Sequence, residues 1–178
     1  MRRPAETAIC RARGHGSEFA LACDMRFASR EKAVFGQIEV ALGVVPGGGA
    51  TEWLARLAGR SRALEILVGA NDFDADTAER YGWVNRAIPD AELDAFVDDL
   101  ARRVGSFDAR ALELAKKSVN ARAGIATDAD RWSSNHAFLG STQWSGVHDR
   151  AVDAMARGLQ QRGDFELRLG EHLGRGRD

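Results

Sequence analysis

The stretch Arg13-Gly14-His15-Gly16-Ser17-Glu18-Phe19-Ala20-Leu21-Ala22-Cys23-Asp24 constrains this chain more than any other. Two glycines flank His15 and permit backbone angles and close approaches that a side chain forbids. Ser17 and Glu18 suit the first turn of a helix, and the apolar run after them gives that helix a buried side. The spacing therefore predicts a glycine turn feeding a helix. The first N–H groups of such a helix lack partners within it and carry partial positive charge, so the peptide around His15 is placed to receive a developing negative oxygen, with Glu18 beside it. The same pattern also serves as plain loop punctuation, with an acid that only complements the helix dipole. It is not a dinucleotide fingerprint: no third glycine follows at the required offset, and no strand with a downstream ribose-binding acid accompanies it.

At 178 residues the chain can hold one substantial core plus a helical extension, burying roughly 70% of its unfolded surface. Lys and Arg number 25 against 26 Asp and Glu, a formal net charge of -1, which argues against a broad electrostatic grip on nucleic acid or an anionic membrane. Cys10 and Cys23 are too few and too irregularly placed for a disulfide scaffold or a metal site, and read as buried thiols of a reducing compartment. The start of the chain is basic at Arg2-Arg3 and broken by Pro4, with no apolar stretch long enough for a signal peptide or a membrane span. The expectation is a cytoplasmic protein without a metal.

Along the chain, Ala8-Ile9-Cys10 reads as a short strand entering the turn, and residues 25–33 as a strand followed by an exposed turn near Ser29 to Lys32. Ala33-Val34-Phe35 is the next buried strand, released by Gly36 into a loop presenting Gln37, Ile38 and Glu39. Pro46-Gly47-Gly48-Gly49-Ala50-Thr51 is a second glycine-rich turn; it lacks the Lys-Ser/Thr ending of a phosphate-binding loop and enters a helix through Trp53, Leu54 and Leu57. Gly59 ends that helix, and Ser61 opens another with Ala63, Leu64, Ile66, Leu67 and Val68 on its apolar face. Asp74 or Asp76 precedes a short helix over 75–81 stopped by Gly82, residues 83–88 read as a strand, and Pro89-Asp90 starts a helix carrying Leu93, Phe96, Val97, Leu100 and Val104. Beyond Gly105 the pattern is helical throughout, over 107–122, 128–139 and 147–159, with Trp132, Phe138, Trp144, Met155 and Phe165 as packing residues and a partly ordered helix ending in a loose tail over 160–178.

The first of these motifs, Gly14-His15-Gly16-Ser17-Glu18-Phe19-Ala20-Leu21-Ala22-Cys23-Asp24, resembles the glycine-rich signature of the crotonase superfamily, the enoyl-CoA hydratases and isomerases, with His15 in place of the middle glycine. The resemblance continues in order through Phe35-Gly36-Gln37-Ile38-Glu39, Leu42-Gly43-Val44-Val45-Pro46-Gly47-Gly48-Gly49-Ala50-Thr51, Ala78-Glu79-Arg80-Tyr81-Gly82-Trp83-Val84-Asn85 and Ile88-Pro89. It implies an α/β fold: the carboxyl-terminal half of a crotonase-like spiral of strand-strand-helix turns over 1–105, then a helical region over 106–178 that covers the site and packs subunits together. A full-length member carries further turns before the signature, which supply a second oxyanion N–H, part of the acyl pocket and much of the coenzyme A site.

By the same resemblance, Glu18 and Glu39 match the two catalytic glutamates of the hydratases, and the backbone N–H of His15 matches an oxyanion donor. Gly14, Gly16, Gln37 and Gly47 line the substrate, with the Gly47 N–H near the reacting water, while Asp72 and Asp74 are weaker candidates for orienting it. Adding water across an α,β-unsaturated thioester needs a base for the water, an acid for the α-carbon and donors for the enolate-like oxygen, so two carboxylates suit it. Two close carboxylates cannot both ionise freely, so one is expected to hold a proton near neutral pH. The family more often has proline at the position of Ile38, and twenty residues separate Glu18 from Glu39, one more than the hydratase pattern, the extra one falling in the turn near Ser29. The implied reaction is syn hydration or dehydration of a 2-enoyl-CoA by a homo-oligomer, a trimer or dimer of trimers, with no cofactor beyond the coenzyme A of the substrate. The competing reading is a truncated or degenerate crotonase fragment acting as a non-catalytic oligomerisation module.

Overall fold

The computed structural model describes residues 6–9, 11–124 and 126–174. Strands and short helices alternate first: β1 (Glu6–Ile9), β2 (Arg11–Arg13), α1 (His15–Leu21), β3 (Met25–Ser29), β4 (Val34–Gly36), α2 (Glu39–Leu42), α3 (Ala50–Leu57), α4 (Arg60–Gly69), β5 (Phe73–Asp74), α5 (Ala75–Tyr81) and β6 (Arg86–Ile88). The described residues beyond are helical: α6 (Asp90–Gly105), α7 (Ala109–Ala123), α8 (Asp128–Ser141), α9 (Val147–Ala156), α10 (Asp164–Leu167) and α11 (Leu169–Gly174). A mixed α/β part followed by a helical part is the order expected from the sequence.

The strands form two small sheets. One runs β1-β3-β6, all parallel, and the other β2-β4-β5, with β2 and β4 parallel and β5 antiparallel to β4. The register of the second sheet sets Arg13 opposite Gly36, so the two chains leave the carboxyl ends of β2 and β4 side by side. Gly14 N–H then donates to the Gly36 carbonyl at 2.9 Å, which ties the two exits together. Parallel strands ending in step are a common way to gather loops from distant sequence into one site.

Phe35, Trp83, Leu21, Leu54 and Ile66 are fully buried in the main core, with the rings of Phe35 and Trp83 5.5 Å apart. Trp83 is not in a strand, as its sequence pattern suggests. Gly82 closes α5 in the left-handed region, Trp83 N–H turns back to Ala78 O at 2.9 Å, and sheet pairing begins only at Arg86. Met25, Phe96, Val97 and Leu100 pack on buried Phe27, Ile88 and Leu93, as the periodicity of α6 requires.

Other expectations are corrected. Ser29 lies not in an exposed turn but wholly inside, its hydroxyl donating to Asp90 Oδ1 at 2.8 Å, while Arg30 and Glu31 take the exposed positions. Trp132, Trp144 and Met155 are exposed rather than packed. The helix α8 meets the body through Ser134, Phe138 and Ser141, which share one face at i, i+4 and i+7, and this turns Trp132 outward. Met155 lies beside the buried stripe of Val147 and Ala154 rather than on it. The thiol of Cys23 is half-buried and donates to Phe19 O at 3.6 Å, whereas Cys10 and the end of the expected tail, 175–178, lie outside the described residues. In place of a loose continuation, α10 and α11 fold back, and Phe165 and Leu169 join Ala154 and Leu159 in a second buried cluster.

Candidate active site

The turn at Gly14 is where the site begins. Its backbone has φ 50° and ψ −125°, and a Cβ there would stand 3.0 Å from Glu39 Oε1, so conformation and space both call for glycine. The Gly14 carbonyl accepts the N–H groups of Ser17 and Glu18 at 2.9 and 3.1 Å, which starts α1 at His15 without a side-chain cap. The N–H groups of His15 and Gly16 precede the helix's own hydrogen-bond ladder. Gly16 is open, with nothing within 4 Å of a built Cβ.

Glu18 is only 4% exposed and is held by backbone of the second glycine turn. Its Oε1 accepts Gly48 N–H at 2.7 Å and Ala50 N–H at 3.3 Å. A Cβ at Gly48 would stand 2.3 Å from Glu18 Oε2, so the residue that meets the carboxylate is Gly48. Gly47 lies under Phe138 of α8, whose Cβ is 2.4 Å from where a Gly47 Cβ would be. Three consecutive glycines leave the sequence no way of showing which of them faces the acid. His15 points its side chain to solvent, yet its Nδ1 lies 3.2 Å from Glu18 Oε2.

Glu39 opens α2 and is buried, against Gly14 on one side and Gln37 on the other. Its carboxyl is raised from 4.5 to about 7 in all: burial is the main cause and the negative charge of Glu18 adds to it, while the N–H groups of Glu39 and Ile38 together with His15 act the other way. A carboxyl titrating there exchanges a proton readily near neutral pH. The amide of Gln37 is best satisfied with its nitrogen toward Ser17 Oγ at 2.9 Å and the carbonyls of Gly36 and Gly14 at 3.2 Å. The amide oxygen then lies 3.3 Å from Glu39 Oε2 and suits its protonated form. Ser17, wholly buried, also accepts from Trp83 Nε1 at 3.1 Å. A chain of polar contacts therefore leads from the core tryptophan to the floor of the site.

The structure thus brings together Gly14, His15, Glu18, Gln37 and Glu39, and adds Ser17, Gly48 and Ala50. Asp72 and Asp74 are elsewhere: Asp72 pairs with Arg13, and Asp74 caps α5 by accepting Thr77 N–H at 2.7 Å. Hydrogen bonds to Thr77 hold the Asp74 carboxyl below its usual range. Among the described residues no three His, Cys, Asp or Glu side chains converge as metal ligands, and no helix is long and apolar enough to cross a membrane.

Parallel strands alternating with short helices, and two acidic side chains meeting at glycine-rich turns, are the arrangement that the resemblance to the crotonase class implies. The enoyl-CoA hydratase/isomerase family profile matches residues 10–155, and the chain belongs to that family. It is 42% identical over 120 residues to the crotonyl-CoA hydratase of Syntrophomonas wolfei, a match spanning 67% of this chain and 45% of that one. To the short-chain-enoyl-CoA hydratase of Clostridium acetobutylicum it is 39% identical over 109 residues, 61% of this chain and 41% of that one. The crystal structure of a candidate enoyl-CoA hydratase from Streptomyces avermitilis superposes with a TM-score of 0.93 at 48% identity, covering 97% of this chain and 62% of that one. The chain therefore spans less than half the length of these two curated relatives.

Proposed function

We propose that this chain carries the proton-transfer half of an enoyl-CoA hydratase site and acts in syn addition of water to, or its removal from, an acyl-CoA thioester. The observation that carries the reading is the meeting of Glu18 and Glu39 at the Gly14–His15 turn, with Glu39 raised to about 7 beside the charge of Glu18. Glu18, held by two backbone N–H groups as a carboxylate is held, takes a proton from water as the oxygen bonds to the β-carbon. Glu39 gives its proton to the α-carbon. Between these events the thioester oxygen carries negative charge, and the His15 N–H at the start of α1 is the donor this chain offers to it. Gln37 orients the Glu39 carboxyl from behind. Coenzyme A enters only as part of the substrate.

Association of subunits belongs to this reading. Trp132, Leu139, Leu114 and Val119 on α7 and α8 expose 53–64% of their surface, an apolar display that suits subunit contacts. The test is hydration of crotonyl-CoA, followed by loss of the enoyl absorbance, with purified 1–178 and its mass in solution measured alongside. Glu18→Gln is expected to lower kcat by about 10²–10⁴-fold. Turnover that persists in Glu18→Gln combined with Glu39→Gln overturns the assignment of both residues. A folded, inactive oligomer favours the non-catalytic module.

A further inference from the structure

A heavily hydrogen-bonded charge lies next to the site rather than in it. Arg13 ends β2 next to Gly14, and its side chain is 7% exposed. Its guanidinium grips Asp72 in a two-pronged pair, Nε to Oδ1 at 2.6 Å and Nη2 to Oδ2 at 2.9 Å. The remaining reach of the same group goes to the carboxyl-terminal segment: Nη1 donates to Glu166 O at 2.9 Å and Nη2 to Leu167 O at 3.2 Å. Asp72 Oδ2 in turn accepts Gly170 N–H at 3.0 Å. One ion pair therefore joins the strand that leads into the site, the loop before β5, and both α10 and α11.

The fit leaves little slack. A Cβ on Gly170 would stand 2.5 Å from Asp72 N and 3.0 Å from Asp72 Cγ, and one on Gly36 would stand 3.4 Å from Asp72 Oδ1. The segment held in this way supports the second glutamate as well. Phe165 and Leu169 pack with Leu159 and Ala154 against Ile38 and Leu42, which stand immediately before Glu39 and at the end of its helix. Ile38 has no ring to fix its φ, which is −97°, so this apolar contact joins the hydrogen bonds of Gln37 in restraining the loop.

We propose that Arg13 and Asp72 are positioning residues, whose ion pair clasps residues 163–174 onto the back of the site and so holds the Gly14–His15 turn and Glu39 in register. A partly buried pair by itself is weak support for stability, because desolvation offsets attraction. Its value here is geometric, as one end is covalently adjacent to the turn and the other anchors the segment packed on Ile38. The catalytic consequence rests on the hydratase reading above; the clasp itself does not.

Asp72→Ala, Asp72→Asn and Gly170→Ala are compared with 1–178 by amide hydrogen exchange, by ¹³C titration of the Glu39 carboxyl, and by crotonyl-CoA hydration. Asp72→Ala and Gly170→Ala are expected to speed exchange over 163–174 and 36–43 by about tenfold or more while β3, β6 and α6 stay protected. Both are expected to move the Glu39 midpoint, and to lower kcat by about 10- to 100-fold with KM changed less than about threefold. Asp72→Asn keeps one oxygen for Arg13 and falls between. Gly170→Ala pushes the segment away without altering either member of the pair, so it carries the test if Asp72→Ala does not fold. Exchange that quickens over 163–174 while the Glu39 midpoint stays in place reduces the pair to a structural brace and overturns the proposal, as does unchanged protection of 163–174. Exchange and titration need no turnover, so an inactive wild-type chain defeats the hydratase reading and leaves these two measurements to decide the clasp.

Discussion

Replacing Glu39 by glutamine converts the electrostatics of the site into a measurable stability difference. The carboxyl moves from 4.5 in the unfolded chain to about 7 in the folded one, with burial as the first cause and the charge of Glu18 adding to it. Between those values the folded state binds the proton that the unfolded state has released, so native stability falls as pH rises through this window. At about 1.4 kcal/mol per unit, the full cost of holding Glu39 ionised is about 3 kcal/mol, reached above pH 7. Glutamine is never ionised and keeps a similar shape. Glu39→Gln is therefore expected to match the wild type at pH 4.5, to gain on it steadily, and to exceed it by about 3 kcal/mol at pH 8. Urea unfolding at half-unit steps from pH 4.5 to 8.5, with the variant-minus-wild-type difference plotted against pH, is the assay. A flat difference, or one that grows toward acid, refutes the claim that this carboxyl is protonated in the folded chain near neutrality. Under the proposed function the same variant is expected to lose hydration, and a residue kept at the expense of stability is the expected signature of a functional acid.

Three further outcomes follow from the geometry. Gly48→Ala drives a methyl into Glu18 Oε2, 2.3 Å from the built Cβ, and is expected to cost about 10²-fold in kcat in a chain whose circular dichroism is unchanged; full activity would place Glu18 outside the chemistry. Ile38→Pro removes an N–H that favours the ionised form of Glu39, so its ¹³C midpoint should rise beyond about 7, and a fall would contradict that role of the Ile38 peptide. Trp83→Phe removes the indole N–H bonded to buried Ser17 and part of a wholly buried ring, and a loss of about 2–4 kcal/mol in urea unfolding is expected; a loss under about 0.5 kcal/mol would mean that the Ser17 contact contributes nothing.

How far the sequence showed all this depends on whether a residue acts through its neighbours in the chain or through distant ones. The Gly14 turn, α1 and the burial of Leu21 follow from local rules, since glycine conformation and a short apolar run act over a few residues. The pairing of Glu18 with Glu39 became visible only through ordered family motifs, because twenty intervening residues of strand and turn separate them. Gly48 was hidden within a run of three equivalent glycines, and only the register of the loop under α8 selects it. Arg13 and Asp72 had no local signal at all. An arginine at a strand end and an aspartate in a loop usually face water, and their partners lie 59 residues apart in the chain and, for the Glu166 carbonyl, 153 apart.

Ile38 shows why such long-range contacts bear on the site itself. A proline there would set the backbone locally, and the placement of Glu39 would then need little from the rest of the chain. With isoleucine more of the restraint has to come from tertiary contacts, and Phe165 and Leu169 add packing from more than a hundred residues away. Isoleucine also returns an N–H that proline lacks, and that N–H works against the rise in the Glu39 carboxyl. One substitution therefore acts on both placement and acidity. The two effects separate experimentally: Phe165→Ala in the Ile38 chain is expected to loosen 36–43 in hydrogen exchange, whereas in an Ile38→Pro background the same truncation should leave that segment protected. Equal loosening in both backgrounds would show that the terminal cluster supports the core in general and has no particular hold on Glu39.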